Sequence, residues 1–208
     1  FEGSDRAADI IGRARHYLHI EGNPRSLSAD AVFALYTDRA GRLWVGTDKG
    51  LGRYEPTSDD FNNAVAEAGA LDGAKVRAIL EDHTGALWIG TLDNGLFRLD
   101  PSTKQVKSFR YDDKNPRSLS DNRVRAIMED DARRLWIATA DGLNLFNRTT
   151  ESFVRYGRDA DNPHSLRDDD VMSLYQDRSG VLWVGTRAGG ASHWSPQSWA
   201  LGHYRSPL

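Results

Sequence analysis

Four near-identical pentapeptides, each containing a tryptophan at its second position, decide the fold of this chain. They are Leu43-Trp44-Val45-Gly46-Thr47, Leu87-Trp88-Ile89-Gly90-Thr91, Leu135-Trp136-Ile137-Ala138-Thr139 and Leu182-Trp183-Val184-Gly185-Thr186. The tryptophans follow one another at intervals of 44 to 48 residues. A period of this size is typical of repeat architectures such as propellers and solenoids. The repeat is therefore the feature from which the fold has to be derived.

Each repeat unit is predicted to form four short strands. Its strand-forming residues occur in runs of four to eight between turn signals. The first two runs are linked by Asp-x-x-Gly, as in Asp38 to Gly41, where the aspartate side chain caps the turn and the glycine accepts a positive φ. The third unit carries Arg133 in place of the glycine, which predicts backbone strain at that residue.

The pentapeptide is apolar on both faces of its strand. Leu43 and Val45 point to one side, whereas Trp44 and Gly46 point to the other. A sheet with one face in water would show polar residues on that face. Both faces must then be covered by neighbouring sheets, and small sheets repeated around an axis form a β-propeller. The predicted fold class is all-β, a propeller of four-stranded antiparallel blades in which the tryptophan fills the space between blades.

The repeat pattern divides the chain into blades. We expect residues 1–14 to be a tag or linker, and the propeller to occupy 15–208 with blades at 26–67, 75–112, 124–157 and 171–206. Residues 15–20 have the pattern of a spare outer strand from a preceding blade. Four blades can form a closed ring, an open arc or half of an eight-blade ring made by two chains. An open arc exposes two apolar faces, so a homodimer that completes the propeller is favoured.

The segments around the pentapeptides resemble the two-component regulator propeller repeat. In this repeat an Asn-Pro-x-Ser-Leu loop precedes Val-x-Ala-Leu-x-x-Asp-x-x-Gly-x-Leu-Trp-Val-Gly-Thr. The loop stands here at residues 23–27, 115–119 and 162–166, and it is replaced by Leu71-Asp72-Gly73-Ala74 in the second unit. The resemblance covers the chain from about residue 15 onward. It implies the periplasmic sensor region of a membrane-bound bacterial signalling protein, whose output domain is a histidine kinase or a diguanylate cyclase.

Composition excludes several other classes of function. Lys and Arg number 27 against 30 Asp and Glu, so the net charge of −3 gives no extended basic surface for nucleic acid or anionic lipid. The absence of cysteine excludes disulfides and zinc–thiolate sites. No apolar run approaches the roughly 20 residues of a membrane-spanning helix, so contact with a membrane is expected only through segments outside this chain. No cofactor and no metal site is expected.

Candidate binding residues are expected where the units differ, because the residues that recur are explained by folding. In a propeller, the inter-blade loops and the second hairpin of each blade lie on one face. The candidates for contact with a polar small molecule or a protein ligand are Lys49, Asp93, Asn94, Asn122, Arg123, Asp141 and Arg187. Trp194 and Trp199 lie outside the repeated tryptophan position and are candidates for surface contacts.

The sequence favours a non-catalytic sensor or interaction module. Enzymes need a converged acid–base pair, usually with a metal, and the sequence offers no catalytic residues of that kind near the predicted inner strands. Two alternatives stay open: a propeller enzyme of the lyase or glycoside hydrolase type, and a dimerisation scaffold without a ligand.

Overall fold

The computed structural model describes residues 14–64 and 69–194, which contain fifteen strands in four antiparallel sheets. The first sheet consists of β1 (Val32–Thr37), β2 (Leu43–Thr47), β3 (Gly50–Glu55) and β4 (Asp60–Asn62). The second consists of β5 (Val76–Glu81), β6 (Leu87–Thr91), β7 (Leu96–Leu99) and β8 (Val106–Phe109). The third consists of β9 (Val124–Glu129), β10 (Leu135–Thr139), β11 (Gly142–Asn147) and β12 (Ser152–Tyr156). The fourth consists of β13 (Val171–Gln176), β14 (Leu182–Thr186) and β15 (Ala191–Trp194).

Each sheet is a propeller blade, numbered here 1 to 4 in chain order. Within a blade the strands pair in sequence order, and the first strands β1, β5, β9 and β13 contact one another from blade to blade. The first strands are therefore the inner ones, and the predicted all-β propeller fold is confirmed. Residues 195–206, which the predicted bounds of blade 4 include, lie outside the described residues. No helix in the described part of the chain is long and apolar enough to cross a bilayer.

The repeated tryptophan fills the space between blades, as predicted. Trp44, Trp88 and Trp136 are at most 1% exposed, and each belongs to an apolar cluster shared with the following blade. The indole Nε1 of each repeated tryptophan, Trp183 included, also donates a hydrogen bond of 2.7–2.9 Å to the aspartate that directly follows the preceding strand. The other carboxylate oxygen accepts amide hydrogens of the hairpin turn, for example from Ala40 and Arg42. One carboxylate thus fixes both the turn and the indole.

The glycine two residues after the tryptophan allows the blades to approach closely. A Cβ atom at Gly46 would lie 3.0 Å from the Cβ of Val76, and one at Gly90 would lie 3.0 Å from the Cβ of Val124. Side chains are therefore excluded at these two positions unless the neighbouring valine moves. Val76 and Val124 are themselves completely buried. Glycine and valine form a matched pair across the interface between one blade and the next.

The spare outer strand expected at residues 15–20 is not formed. Residues 14–20 carry no strand, because the described part of the chain supplies no partner strand for them. The backbone N–H groups of His19 and Ile20 donate instead to the side chains of Asp30 and Ser26. The Tyr17 ring packs edge-on against Phe61 with centroids 5.3 Å apart. This segment therefore covers the outer part of blade 1 without pairing as a strand.

The four described blades form an open arc. Apolar clusters join blade 1 to 2, 2 to 3 and 3 to 4, and among the described residues no such cluster joins blade 4 to blade 1. Trp183 of blade 4 is accordingly 40% exposed, although its sequence context matches that of the buried tryptophans. The closed four-blade ring, one of the three arrangements considered from sequence, is not what the structure shows.

Candidate functional site

The inner strands share an irregularity that directs four side chains to one surface. In each of them the pairing register shifts around the second residue, which is Phe33, Arg77, Arg125 or Met172. Such β-bulges redirect a side chain and are common beside functional sites. Phe33, Arg77 and Met172 are exposed, and Arg125 is half-buried. Because the inner strands are neighbours, these residues form one row across the blades, called the axial row here.

Adjacent members of the axial row contact each other across blades 1 and 2. The guanidinium carbon of Arg77 lies 5.7 Å from the centre of the Phe33 ring, within the range of a cation–π interaction. Within the described residues Arg77 forms no ion pair with a carboxylate. Its charge is therefore available to a ligand that approaches the row.

Two guanidinium groups converge on one carboxylate between blades 3 and 4. Arg125 Nη2 lies 3.2 Å from Asp170 Oδ1, and Arg187 Nε donates a 2.5 Å hydrogen bond to Asp170 Oδ2. The backbone N–H of Arg187 also donates to the Asp170 carbonyl oxygen at 2.8 Å. Asp170 thus pairs with two guanidinium groups, and Asp168 also lies within electrostatic range of Arg187.

A second charged group lies beside the first. Arg123 Nε is 2.9 Å from Asp121 Oδ1, and Asp141 stands on the hairpin between β10 and β11. Burial raises the pKa of Asp141, and the negative charges of Asp169 and Asp121 raise it further. The cluster therefore holds a carboxyl group that gains a proton more readily than usual.

The structure brings together three of the seven candidate binding residues. Arg123, Asp141 and Arg187 lie around Asp170 and its neighbours in blades 3 and 4, where Arg123 and Asp170 influence each other electrostatically. Of the remaining four, Lys49 lies on blade 1. Asp93 and Asn94 lie on the hairpin of blade 2 that contacts Asn122, where the Gly95 N–H donates to the Asn122 carbonyl oxygen at 3.0 Å.

The other four candidates have local surroundings of their own. Lys49 is exposed on the second hairpin of blade 1. Asp93 and Asn94 share the corresponding hairpin of blade 2, where the Asn94 amide donates to the Asp93 carboxylate at 3.2 Å. The side-chain oxygen of Asn122 accepts the Tyr111 N–H, just as Asp30 accepts that of His19. Asn122 thus has a structural role that recurs in the repeat.

Sequence reasoning missed the axial row. These residues lie inside the strands, whereas the predicted candidates lie in loops and hairpins. The available signal was their variation, since Phe33, Arg77, Arg125 and Met172 occupy one repeated position with three different residue types. Their function as redirected side chains depends on the bulge, which the strand pattern does not reveal.

Trp194 was one of the candidates for a surface contact, and the structure places it in the core instead. The residue is half-buried and packs against the apolar cluster between blades 3 and 4. It pairs with Leu182 in the position that Phe146 takes opposite Leu135, so it belongs to the repeated core. Trp199 lies outside the described residues. Within 14–64 and 69–194 no three His, Asp or Glu side chains are placed to hold a metal ion.

The fold and its axial row define a β-propeller segment, and a comparison with protein families agrees with that class. The family model described as the two component regulator propeller matches residues 26–49, 70–93, 118–141 and 165–188. The chain is built of two-component regulator propeller repeats, as the sequence resemblance indicated. No curated protein matches the chain.

Solved structures share this architecture. The extracellular domain of the putative one component system BT4673 from B. thetaiotaomicron is 25% identical, with a TM-score of 0.68 over 80% of this chain and 22% of that one. The extracellular domain of the putative hybrid two component system BT3049 from the same organism is 24% identical, with a TM-score of 0.58 over 86% and 28%. Virginiamycin B lyase from Staphylococcus aureus is 10% identical, with a TM-score of 0.56 over 79% and 55%. The BT3049 domain and virginiamycin B lyase, both below 25% identity, show a likeness of fold alone. The chain spans 22% and 28% of the length of the two B. thetaiotaomicron domains.

Proposed function

We propose that this propeller segment is a non-catalytic, ligand-binding part of the periplasmic input region of a membrane-bound bacterial signalling protein. The repeat family and the extracellular signalling domains that share its fold support a sensor placed outside the cytoplasm. The segment would reach the membrane, and an output domain such as a histidine kinase or diguanylate cyclase, through parts of the protein outside these residues. No nucleic acid is expected as a partner.

The single observation that carries the proposal is the set of three guanidinium groups on and beside the axial row. Arg77 has no carboxylate partner within the described residues, and Arg125 and Arg187 share the one carboxylate of Asp170. Guanidinium groups form strong, directed hydrogen bonds with carboxylates and phosphates. The surface therefore suits a small polar ligand that carries at least one anionic group, with Asp141 available to hydroxyl groups of the same molecule.

A catalytic role is less well supported by the same groups. General acid–base catalysis needs two titratable side chains held in hydrogen-bond reach of one reacting atom. The charges that shift the pKa of Asp141 come from Asp169, Asp121, Arg155 and Arg123. Histidine and glutamate are absent from that set. The resemblance to virginiamycin B lyase, at 10% identity, is a resemblance of fold and carries no chemistry.

Binding would act on the output through the packing of blades. A ligand that bridges the inner strands of two blades favours the packing of those blades in which it can contact both strands. The equilibrium between this packing and the ligand-free packing shifts only by the ligand's difference in affinity for the two. The axial row is suited to this role because its members belong to four different blades.

Isothermal titration of the 208-residue chain tests the proposal with glucuronate, citrate and inorganic phosphate, and with glucose as an uncharged control. We expect at least one anionic probe to bind and glucose not to bind. Arg125→Gln should weaken that binding at least about tenfold, because a hydrogen bond between charged groups is worth roughly 1.5–3 kcal/mol. Arg117→Gln is the matched control, since Arg117 is exposed in the loop before blade 3 and belongs to neither charged group.

Two results would count against the proposal. Equal binding of the probes by the wild type, Arg125→Gln and Arg77→Gln would remove the axial surface as the site. Breakdown of virginiamycin B that is lost on substitution of Asp141 would replace the sensor by an enzyme.

A further inference from the structure

The residue directly before each inner strand differs in charge from blade to blade. In chain order these residues are Ala31, Lys75, Arg123 and Asp170. Only the last of these four positions carries a carboxylate, and this carboxylate faces the guanidinium of Arg125 in the axial row of the preceding blade. The interface between blades 3 and 4 therefore has an ion pair at its inner edge that the residue types at the other two described interfaces do not permit.

The contact between Arg125 and Asp170 is poorly matched. Arg125 Nη2 lies 3.2 Å from Asp170 Oδ1 and 3.3 Å from Oδ2. Hydrogen bonds between a charged N–H group and a carboxylate are normally about 2.7–2.9 Å long. Arg125 Nε and Asp170 Oδ1 are both buried, and neither has a hydrogen-bond partner among the described residues. The guanidinium thus has hydrogen-bonding capacity that Asp170 does not use.

Arg187 holds Asp170 independently of Arg125. Its Nε donates to Asp170 Oδ2 at 2.5 Å, and its backbone N–H donates to the Asp170 carbonyl oxygen at 2.8 Å. Breaking a buried ion pair is costly mainly when it leaves one charge without a partner. If Arg125 leaves Asp170 for another anion, Asp170 stays paired with Arg187, so the exchange avoids that cost.

A ligand anion and Asp170 require the same guanidinium. The side chains of Arg125 and Asp170 are 18% and 20% exposed, so a ligand in solvent reaches the pair at its surface. Two negative groups beside one guanidinium repel each other, and salt screens this repulsion only weakly because the groups are mostly buried. Binding of an anion at Arg125 is therefore opposed by the contact between Arg125 and Asp170.

We propose that Asp170 is an internal competitor of the axial ligand: its carboxylate occupies Arg125 in the free protein, and an anionic group of the ligand takes its place. The inference rests on the proposed function, because it requires an anion at Arg125. Arg125 belongs to blade 3 and Asp170 to blade 4, so the exchange breaks a contact between blades. The apolar cluster around Trp136 and the 2.8 Å hydrogen bond from the Asp131 amide to Gln176 keep the two blades joined. Occupation of the site is thus converted into the loss of one ion pair at the inner edge.

Isothermal titration of the 208-residue Asp170→Asn variant with citrate, glucuronate and inorganic phosphate tests the competition. Asparagine keeps the size of the side chain and removes its charge. The variant should bind the probe that binds the wild type at least about threefold more tightly, because the anion no longer displaces a charged partner from Arg125. Asp170→Ser should change the affinity in the same direction. Cooperative urea unfolding of both variants separates a change in binding from a loss of the fold.

Asp60→Asn is the matched control. Asp60 pairs with Arg25 Nε at 2.5 Å on the outer strand of blade 1, and its side chain is 23% exposed, against 20% for Asp170. This substitution removes the same charge from a similar ion pair outside the axial row. It should leave the affinity for the probe unchanged.

A double-mutant cycle separates competition from the general effect of removing a negative charge. In the Arg125→Gln background, Asp170→Asn should lose most of its effect on affinity, because only Arg187 is then released. A general effect of charge predicts the same gain in affinity with and without Arg125.

The outcomes distinguish this inference from the proposed function. Binding by the wild type that depends on Arg125, with equal or weaker binding by Asp170→Asn, overturns the internal competitor and leaves the proposed function standing. A gain of equal size in the Arg125→Gln background also overturns the internal competitor. Absence of Arg125-dependent binding in both the wild type and Asp170→Asn overturns both proposals.

Discussion

At the scale of single residues, the molecule depends on a carboxylate that serves two purposes. Asp82 accepts hydrogen bonds from the Thr84 hydroxyl and amide and from the Trp88 indole, and Arg148 forms a 2.7 Å ion pair with it. Burial of Asp82 favours the neutral form, but these hydrogen bonds outweigh burial and lower its pKa to about 2. Arg148 also pairs with Glu129 at 2.6 Å, which connects the turn of blade 2 to blade 3.

Substitution Asp82→Asn should destabilise the fold by about 2 kcal/mol at neutral pH, because hydrogen bonds to a charged group are lost. The pKa of Asp82 is lower in the folded chain than in the unfolded chain. Its charge therefore contributes stability above pH 4, and that contribution is lost as the pH falls toward 2. Urea unfolding should show the largest difference between wild type and variant above pH 4, narrowing toward pH 2.

The control for this substitution is Asp113→Asn, at an exposed residue of the loop before blade 3. We expect it to change the free energy of unfolding by less than about 0.5 kcal/mol. An Asp82→Asn variant as stable as wild type at pH 7, or a difference that stays constant down to pH 2, would contradict the role assigned to the charge.

At the scale of strands and turns, one hairpin departs from the repeat. The turn between the first two strands contains glycine at φ +78° in blade 1, +87° in blade 2 and +83° in blade 4. In blade 3 the residue is Arg133, and its φ is +61°. Blade 3 therefore keeps the positive φ of this turn, although it has arginine in place of the glycine that adopts such a φ without strain. A side chain in this region costs roughly 1–2 kcal/mol.

Arg133→Gly should raise the stability of the chain, by up to about 1 kcal/mol, because relief of this strain exceeds the added entropy of the unfolded glycine. The reverse substitution is Gly41→Ala, at a position where an added Cβ would meet nothing within 4 Å. It should destabilise by a similar amount through φ alone. Thermal unfolding measures both, and a shift of the same sign in the two variants would refute the explanation.

The strands themselves were predictable from sequence, because hydrophobic alternation, turn residues and the repeat all agree. The strain at Arg133 was predictable for the same reason, since three other units show what the turn requires. The bulges at Phe33 and Arg77 could not be predicted from the sequence. A one-residue shift in strand pairing does not change the hydrophobic alternation of a six-residue strand. The axial row was missed for this reason, and Trp194 was misplaced because its core position recurs as Tyr54, Leu99 and Phe146 rather than as tryptophan.

At the scale of the whole molecule, the blades are held by interfaces that are nearly copies of one another. Residue type alone therefore predicts how one blade packs on the next. Sequence left three arrangements open because a local repeat does not record how many blades complete the ring. The exposed Trp183 and Leu35 show that these four blades leave two faces uncovered.

Hydrogen exchange of the indole N–H groups of Trp44, Trp88, Trp136 and Trp183, followed by NMR, tests this architecture most directly. All four indoles donate to an aspartate at 2.7–2.9 Å, so differences between them report on burial between blades. Trp44, Trp88 and Trp136 should exchange on the order of 100-fold more slowly than Trp183, because their exchange requires separation of packed blades. Four similar rates would contradict an open stack of blades with one uncovered tryptophan.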